Sequence, residues 1–117
     1  MNWQDWRAMK SKVTKYNDVC FFCGKPATET HHLIFGTSAR QLCDKDGLFV
    51  PICAECHTQS NYLTGRIHDN AMAEKLSKML GQAIFERNYY KDLWYQLNRD
   101  SDEARECFMN RYGRNFL

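Results

Sequence analysis

The stretch "CFFCGKPATETHHL", residues 20–33, carries two kinds of metal-binding side chain within one short span. Cys20 and Cys23 form a CxxC pair, a spacing that lets one tight turn present two sulfurs to the same ion. His31 and His32 stand side by side just beyond it. A second pair, Cys53 and Cys56, lies in "VPICAECH" at residues 50–57, and His57 directly follows it. Four thiolates from two such turns meet the tetrahedral demand of Zn²⁺, so Cys20, Cys23, Cys53 and Cys56 are expected to hold one structural zinc. The span between the pairs, residues 24–52, has too few apolar residues to fold alone, which couples ion binding to folding. Cys43 and Cys107 fit neither pair and read as free thiols, Cys43 in a loop and Cys107 on an apolar helix face.

All four histidines, His31, His32, His57 and His68, fall in the middle of the chain, where the cysteine pairs also lie. In a strand His31 and His32 point to opposite faces, but at a strand end one can serve an ion and the other a substrate. If a helix opens at His57, Asn61 lies one turn on and faces the same way, a spacing at which two side chains can share an ion. A plain zinc knuckle has no use for these histidines, so a second site beside the first is expected.

Three parts flank and contain these motifs. Residues 2–16 show Trp3, Trp6, Met9 or Lys10, Val13 and Tyr16 at helical spacing, which predicts an amphipathic N-terminal helix. The middle part, 19–68, predicts two short strands, "TETHHLI" and "LFVPIC", joined by the polar loop "FGTSARQLCDKDG". From Asp69 to about Asn98 the pattern is helical, capped by Asp69 or Asn70 and with a break near Asn88. Met72, Leu76, Met79, Leu80, Ala83 and Ile84 form its apolar stripe. Ser101 or Asp102 opens a last helix, "DEARECFMNRY", which Gly113 ends. The expectation is an α+β fold in one domain spanning residues 1–117.

Composition narrows the class. Hydrophobic residues make up 44% of 117, and no apolar run is long enough to span a bilayer. The charged N-terminus lacks the apolar core of a secretory signal, so a reducing cytoplasm is expected, where six cysteines argue for metal and not disulfides. Net charge is only +2, but residues 1–27 carry five basic side chains against two acidic ones. That local excess can form a phosphate-binding face.

The string "CFFC…THHL…VPICAECH…IH" resembles the zinc-knuckle branch of the HNH nucleases, the ββα-metal or His-Me finger family. Small HNH-like proteins of bacteriophages and prophages are similar over "HHLIFGTSARQL", "GLFVPIC" and, more loosely, the tail "FMNRYGRNFL". The resemblance implies a ββα-metal core with a separate four-cysteine zinc. It implies that His31 binds a catalytic divalent cation (Mg²⁺, Mn²⁺, Ni²⁺ or Zn²⁺) and that His32 is the general base. His57 would be a further ligand, Asn61 the ligand one helical turn later, and His68 an alternative third ligand. The implied activity is metal-dependent hydrolysis of DNA phosphodiesters. Arg40, Arg66, Arg7, Lys12 and Lys15 are the candidates for gripping DNA, and other phage or host proteins are possible partners.

One departure stands out. The family places an asparagine just before the second strand, where it braces the loop and helps orient the base. This chain reads "CDKDGLFVPIC" there, so Asp44 or Asp46 would have to brace the loop backbone instead. If neither does, the scaffold is a degenerate one: a non-catalytic zinc DNA-binding or recombination accessory protein, or an interaction module that uses Trp3, Trp6, Tyr89, Tyr90, Trp94 and Tyr95.

Overall fold

The computed structural model describes residues 10–36, 38–59, 67–93 and 102–117. It is a mixed α+β arrangement built on one two-stranded antiparallel sheet. Strand β1 (Glu29–His32) pairs with β2 (Phe49–Ile52), with His31 opposite Val50 and His32 opposite Phe49. Between them runs helix α1 (Ala39–Asp46). A π-helical turn (Glu55–Gln59) follows β2, and a 3-10 turn (Ile67–Asp69) leads into the long helix α2 (Ala71–Leu93), with α3 (Glu103–Tyr112) near the end.

The sheet sets the position of everything that follows. The first cysteine pair sits in a hairpin closed by the Val19–Pro26 bridge, with Gly24 at φ 80 making its turn. Phe21 N–H donates to Pro51 O at 2.9 Å and Thr28 N–H to Ile52 O at 3.1 Å. These bonds seat the hairpin on the end of β2, where the second pair begins. Two apolar groups hold the layers together. Cys20, Ile52, Cys53 and Ile67 pack at the cysteine end. Ile34, Cys43, Leu48 and Phe108 pack at the other, backed by Ile84, Phe85, Tyr112 and Phe116.

Several elements differ from the sequence expectation. The polar loop after His32 contains helix α1. Gly47 ends it in the left-handed region at φ 73, the αL cap that a glycine adopts without steric penalty. Cys43 is therefore not in a loop; it is fully buried on the inner face of α1. Residues 10–16, expected to be helical, run as irregular chain. Ser11 explains why: its hydroxyl accepts from Val13 and Thr14 N–H and donates to Phe49 O, and Lys12 N–H is taken by Gly47 O. Side-chain bonds of this kind compete with the helical ladder. The rest of the expected N-terminal helix, with Trp3, Trp6 and Arg7, lies outside the described residues.

Helix α2 begins as read. Asn70 Oδ1 accepts from Ala73 N–H at 3.1 Å, the N-cap bond that satisfies an orphan donor. The helix continues through Asn88 to Leu93 without a break. Its buried face follows the apolar stripe only in part, with Ile84 packed against the Phe108 group. Met72 and Leu76 are exposed, while Ser77 and Gln82 are buried. Both polar side chains are satisfied. Ser77 bonds into the sheet, and Gln82 bonds Glu86, Asn115 and the Phe116 backbone. Gly81 lets α2 approach closely, since a Cβ there would lie 2.8 Å from Ile34 Cγ1. Asp102 precedes α3 without a side-chain cap bond, and Gly113 ends it at φ 78. Among the described residues no helix is long and apolar enough to cross a membrane.

Candidate metal centres

The two turns bring Cys20, Cys23, Cys53 and Cys56 together, with their sulfurs all within 4.8 Å of one another. Cys23 Sγ and Cys53 Sγ are 3.6 Å apart, far beyond a disulfide bond, and none of the six cysteines is bridged. A tetrahedron of about 2.3 Å metal–sulfur bonds places its sulfurs roughly 3.8 Å apart, so the group has the dimensions of a thiolate-held ion. Its electrostatics point the same way. Burial works against a Cys20 thiolate, yet backbone hydrogen bonds at Cys53, Cys23 and Phe22 outweigh it and bring the thiol from 9.0 down to about 6. Cys56 is pushed up, by burial first and then by its three cysteine neighbours. The repulsion from the neighbouring cysteines at Cys56 is one that a cation among them would relieve.

A second group forms from His31, His57 and His68, which each bring a ring nitrogen within the same 4.8 Å limit. His31 comes from the end of β1, His57 from the π-helical turn behind the second cysteine pair, and His68 from the 3-10 turn. For His31 and His57 the hydrogen bonds fix which nitrogen the ring offers. Ser77 Oγ donates its one proton to Leu33 O at 2.8 Å, so at 2.9 Å it must accept from His31 Nε2–H. His31 Nδ1 then keeps its lone pair, and it is buried with no hydrogen-bond partner. Glu29 takes the Nδ1 proton of His57 at 2.7 Å, which leaves a lone pair on Nε2. That atom lies 3.0 Å from Nε2 of His68, whose own Nδ1 has Glu74 at 3.6 Å.

Three imidazoles, each backed by a polar partner on its far nitrogen, make the donor set that protein metal sites use. Two of the rings are held toward the neutral form. Burial, and then His68 and His57, press His31 down from 6.5 to about 3. His68 is lowered as well, by burial first and then by His57. Neutral nitrogens are what a cation requires, and the orphaned Nδ1 is a position that a cation would satisfy.

A cavity of about 280 Å³ opens over this group, lined by Thr30, His31, His32, Phe35, Gly36, Arg40, His57 and His68. His32 therefore shares the cavity with the three ligand candidates, although the strand turns it from His31. Its Nε2 lies 2.8 Å from Asp44 Oδ1 of α1. This corrects the expected brace: Asp44 contacts the imidazole of His32 and not the loop backbone, while Asp46 is taken by Arg111 and Tyr112 at 2.7 and 2.8 Å.

Among the described cationic candidates only Arg40 lines this cavity. Lys12 lines a separate one with Lys45, Asp46 and Arg87, and Lys15 lies 5.5 Å over the exposed ring of Tyr16. Asn61, Arg66 and Arg7 lie outside the described residues, as do Trp3, Trp6, Trp94, Tyr95 and the side chain of Tyr90. The residues that reading by motif missed are those behind the ligands, Glu29, Glu74 and Ser77. A glutamate two places before the double histidine was the one visible signal. The chain matches no family model, no curated protein and no solved structure.

Proposed function

We propose that this chain is a metal-dependent DNA endonuclease of the HNH type, with a structural zinc on its four cysteines. The observation that supports this best is the cavity itself. It gathers a three-imidazole group, a fourth histidine held by a carboxylate, and an exposed arginine. His31 and His32 come from β1, Arg40 from α1, His57 from the turn after β2 and His68 from the 3-10 turn, an order compatible with a ββα-metal core.

His31, His57 and His68 would hold the catalytic cation, with His68 as the third ligand. An all-imidazole set suits Mn²⁺, Ni²⁺ or Zn²⁺ better than Mg²⁺. Such an ion, when bound, would supply positive charge at the scissile phosphate and the departing oxygen. The chain's own residues do the rest. His32 takes the proton of the attacking water. Arg40, which has no ion pair among the described residues, neutralises and positions the phosphate at the cavity mouth. The cysteine group sits one turn from His57, so a zinc held there would keep that ligand in place.

The test is nicking of supercoiled plasmid by zinc-loaded protein with Mg²⁺, Mn²⁺, Ni²⁺ or EDTA. Wild type should cut with at least one ion and not in EDTA. Loss of a general base typically costs about 10²- to 10⁴-fold, so His32→Ala should fall by that much while keeping its zinc. Wild-type protein that binds DNA without cutting under every ion would instead establish a non-catalytic DNA-binding role.

A further inference from the structure

We propose that Asp44 is the positioning residue for His32: it fixes which imidazole nitrogen faces the reaction, in the place of the asparagine this chain lacks. The role rests on the nuclease reading above. Its warrant is geometric. A carboxylate only accepts hydrogen bonds, so at 2.8 Å Asp44 Oδ1 takes the proton of His32 Nε2 and leaves the lone pair on Nδ1. Both partners are largely enclosed, with side chains 11% and 25% exposed, where such a bond is little diluted by water.

The support behind Asp44 is rigid. Its neighbour Cys43 is fully buried and donates to Ile34 O at 3.2 Å. Two residues on, Asp46 is clamped by Arg111 and Tyr112 of α3, and Gly47 closes the helix. Helix α1 therefore delivers the Asp44 carboxylate to one place. An asparagine in a loop would act through the backbone; this side chain acts on the ring itself.

The experiment compares full-length, zinc-loaded wild type, Asp44→Ala and Asp44→Asn in Mn²⁺. Plasmid nicking is read as separate kcat and KM, and long-range ¹H–¹⁵N spectra of the imidazoles report the His32 tautomer. In Asp44→Ala, kcat should drop about 10- to 100-fold, because a misplaced group costs rate and not substrate binding. KM, zinc content and Mn²⁺ affinity should stay at wild-type values. Asp44→Asn should restore most of kcat, since its amide oxygen accepts the same bond. Wild-type His32 should show the Nε2–H form alone, and Asp44→Ala a mixture. Unchanged kcat in Asp44→Ala, or a loss of kcat with an unchanged tautomer and no rescue by Asn, overturns the role and leaves the nuclease reading standing. A mixed tautomer in wild type overturns it too. Failure of wild type to cut at all sinks the nuclease reading instead, and the spectra still report whether the pairing exists.

Discussion

Ser77 shows how one hydroxyl decides the chemistry of a neighbour. It sits buried on α2, accepts from His31 and donates to Leu33 O, and so fixes the ring that offers Nδ1. Partners of this kind typically govern metal affinity by about 10- to 100-fold. Ser77→Ala should weaken Mn²⁺ binding by that factor in calorimetric titration, with the zinc of the cysteine group retained. Wild-type affinity would show that Ser77 serves packing alone. Cys43 gives a pH prediction. Burial raises its thiol from 9.0 to about 11, so the folded chain holds the proton while the unfolded chain releases it. Stability is complete below pH 9 and falls as pH rises toward 11, because the folded state then binds more protons than the unfolded one. A shift of that size corresponds to roughly 2–3 kcal/mol. Urea unfolding of wild type should therefore steepen its loss across this window relative to Cys43→Ala. Parallel curves would contradict it.

At the scale of elements, the contact between α2 and the chain beyond β1 depends on a missing side chain. Gly81 in an open helix would cost about 1 kcal/mol relative to alanine, so replacing it would ordinarily stabilise. Here the added Cβ meets Ile34 Cγ1 at 2.8 Å and Leu33 Cβ at 3.1 Å, and both residues are buried. Overpacking of this kind costs roughly 1–3 kcal/mol and exceeds the helix gain. Gly81→Ala should lower the thermal midpoint. A higher midpoint would mean that α2 can shift outward at little cost. The same contact carries Ser77 to His31, so this variant should also weaken Mn²⁺ binding.

Over the whole molecule, the two candidate metal groups share their supports. The hairpin of Cys20 and Cys23 hangs on β2, β2 pairs with the strand of His31, and His57 follows Cys56. Removing the ion from the cysteines should therefore loosen the histidine group as well. Metal analysis after gentle EDTA dialysis should find one tightly held zinc per chain, and Cys23→Ser should lose it. Because binding free energy at such sites is folding free energy, the variant should also show a depressed thermal midpoint and no measurable Mn²⁺ affinity. A zinc-free variant that still melted like wild type would refute the coupling.

The sequence alone determined the four-cysteine group, both strands, the start of α2 and the end of α3. Each is written in local chemistry: two-residue spacing between thiols, β-branched and aromatic runs, Asn70 before Ala71, Gly113 after Tyr112. The histidines were legible as candidates, and His31, His57 and His68 do converge. What could not be read locally depends on partners distant in the chain. Helix α1 hid in a polar stretch because its buried anchor is a single cysteine, Cys43, packed against Ile34 and Phe108. Residues 10–16 had helical spacing, but Ser11 and Lys12 spend their hydrogen bonds on β2 and Gly47. Helix α2 turned Ser77, Gly81 and Gln82 inward beside Ile84 and Phe85, while Met72 and Leu76 of the apolar stripe stay exposed. Only the tertiary structure decided what Asp44 touches. A hydrogen bond between residues twelve apart exists because α1 folds back beside β1, and spacing along the chain carries no trace of that.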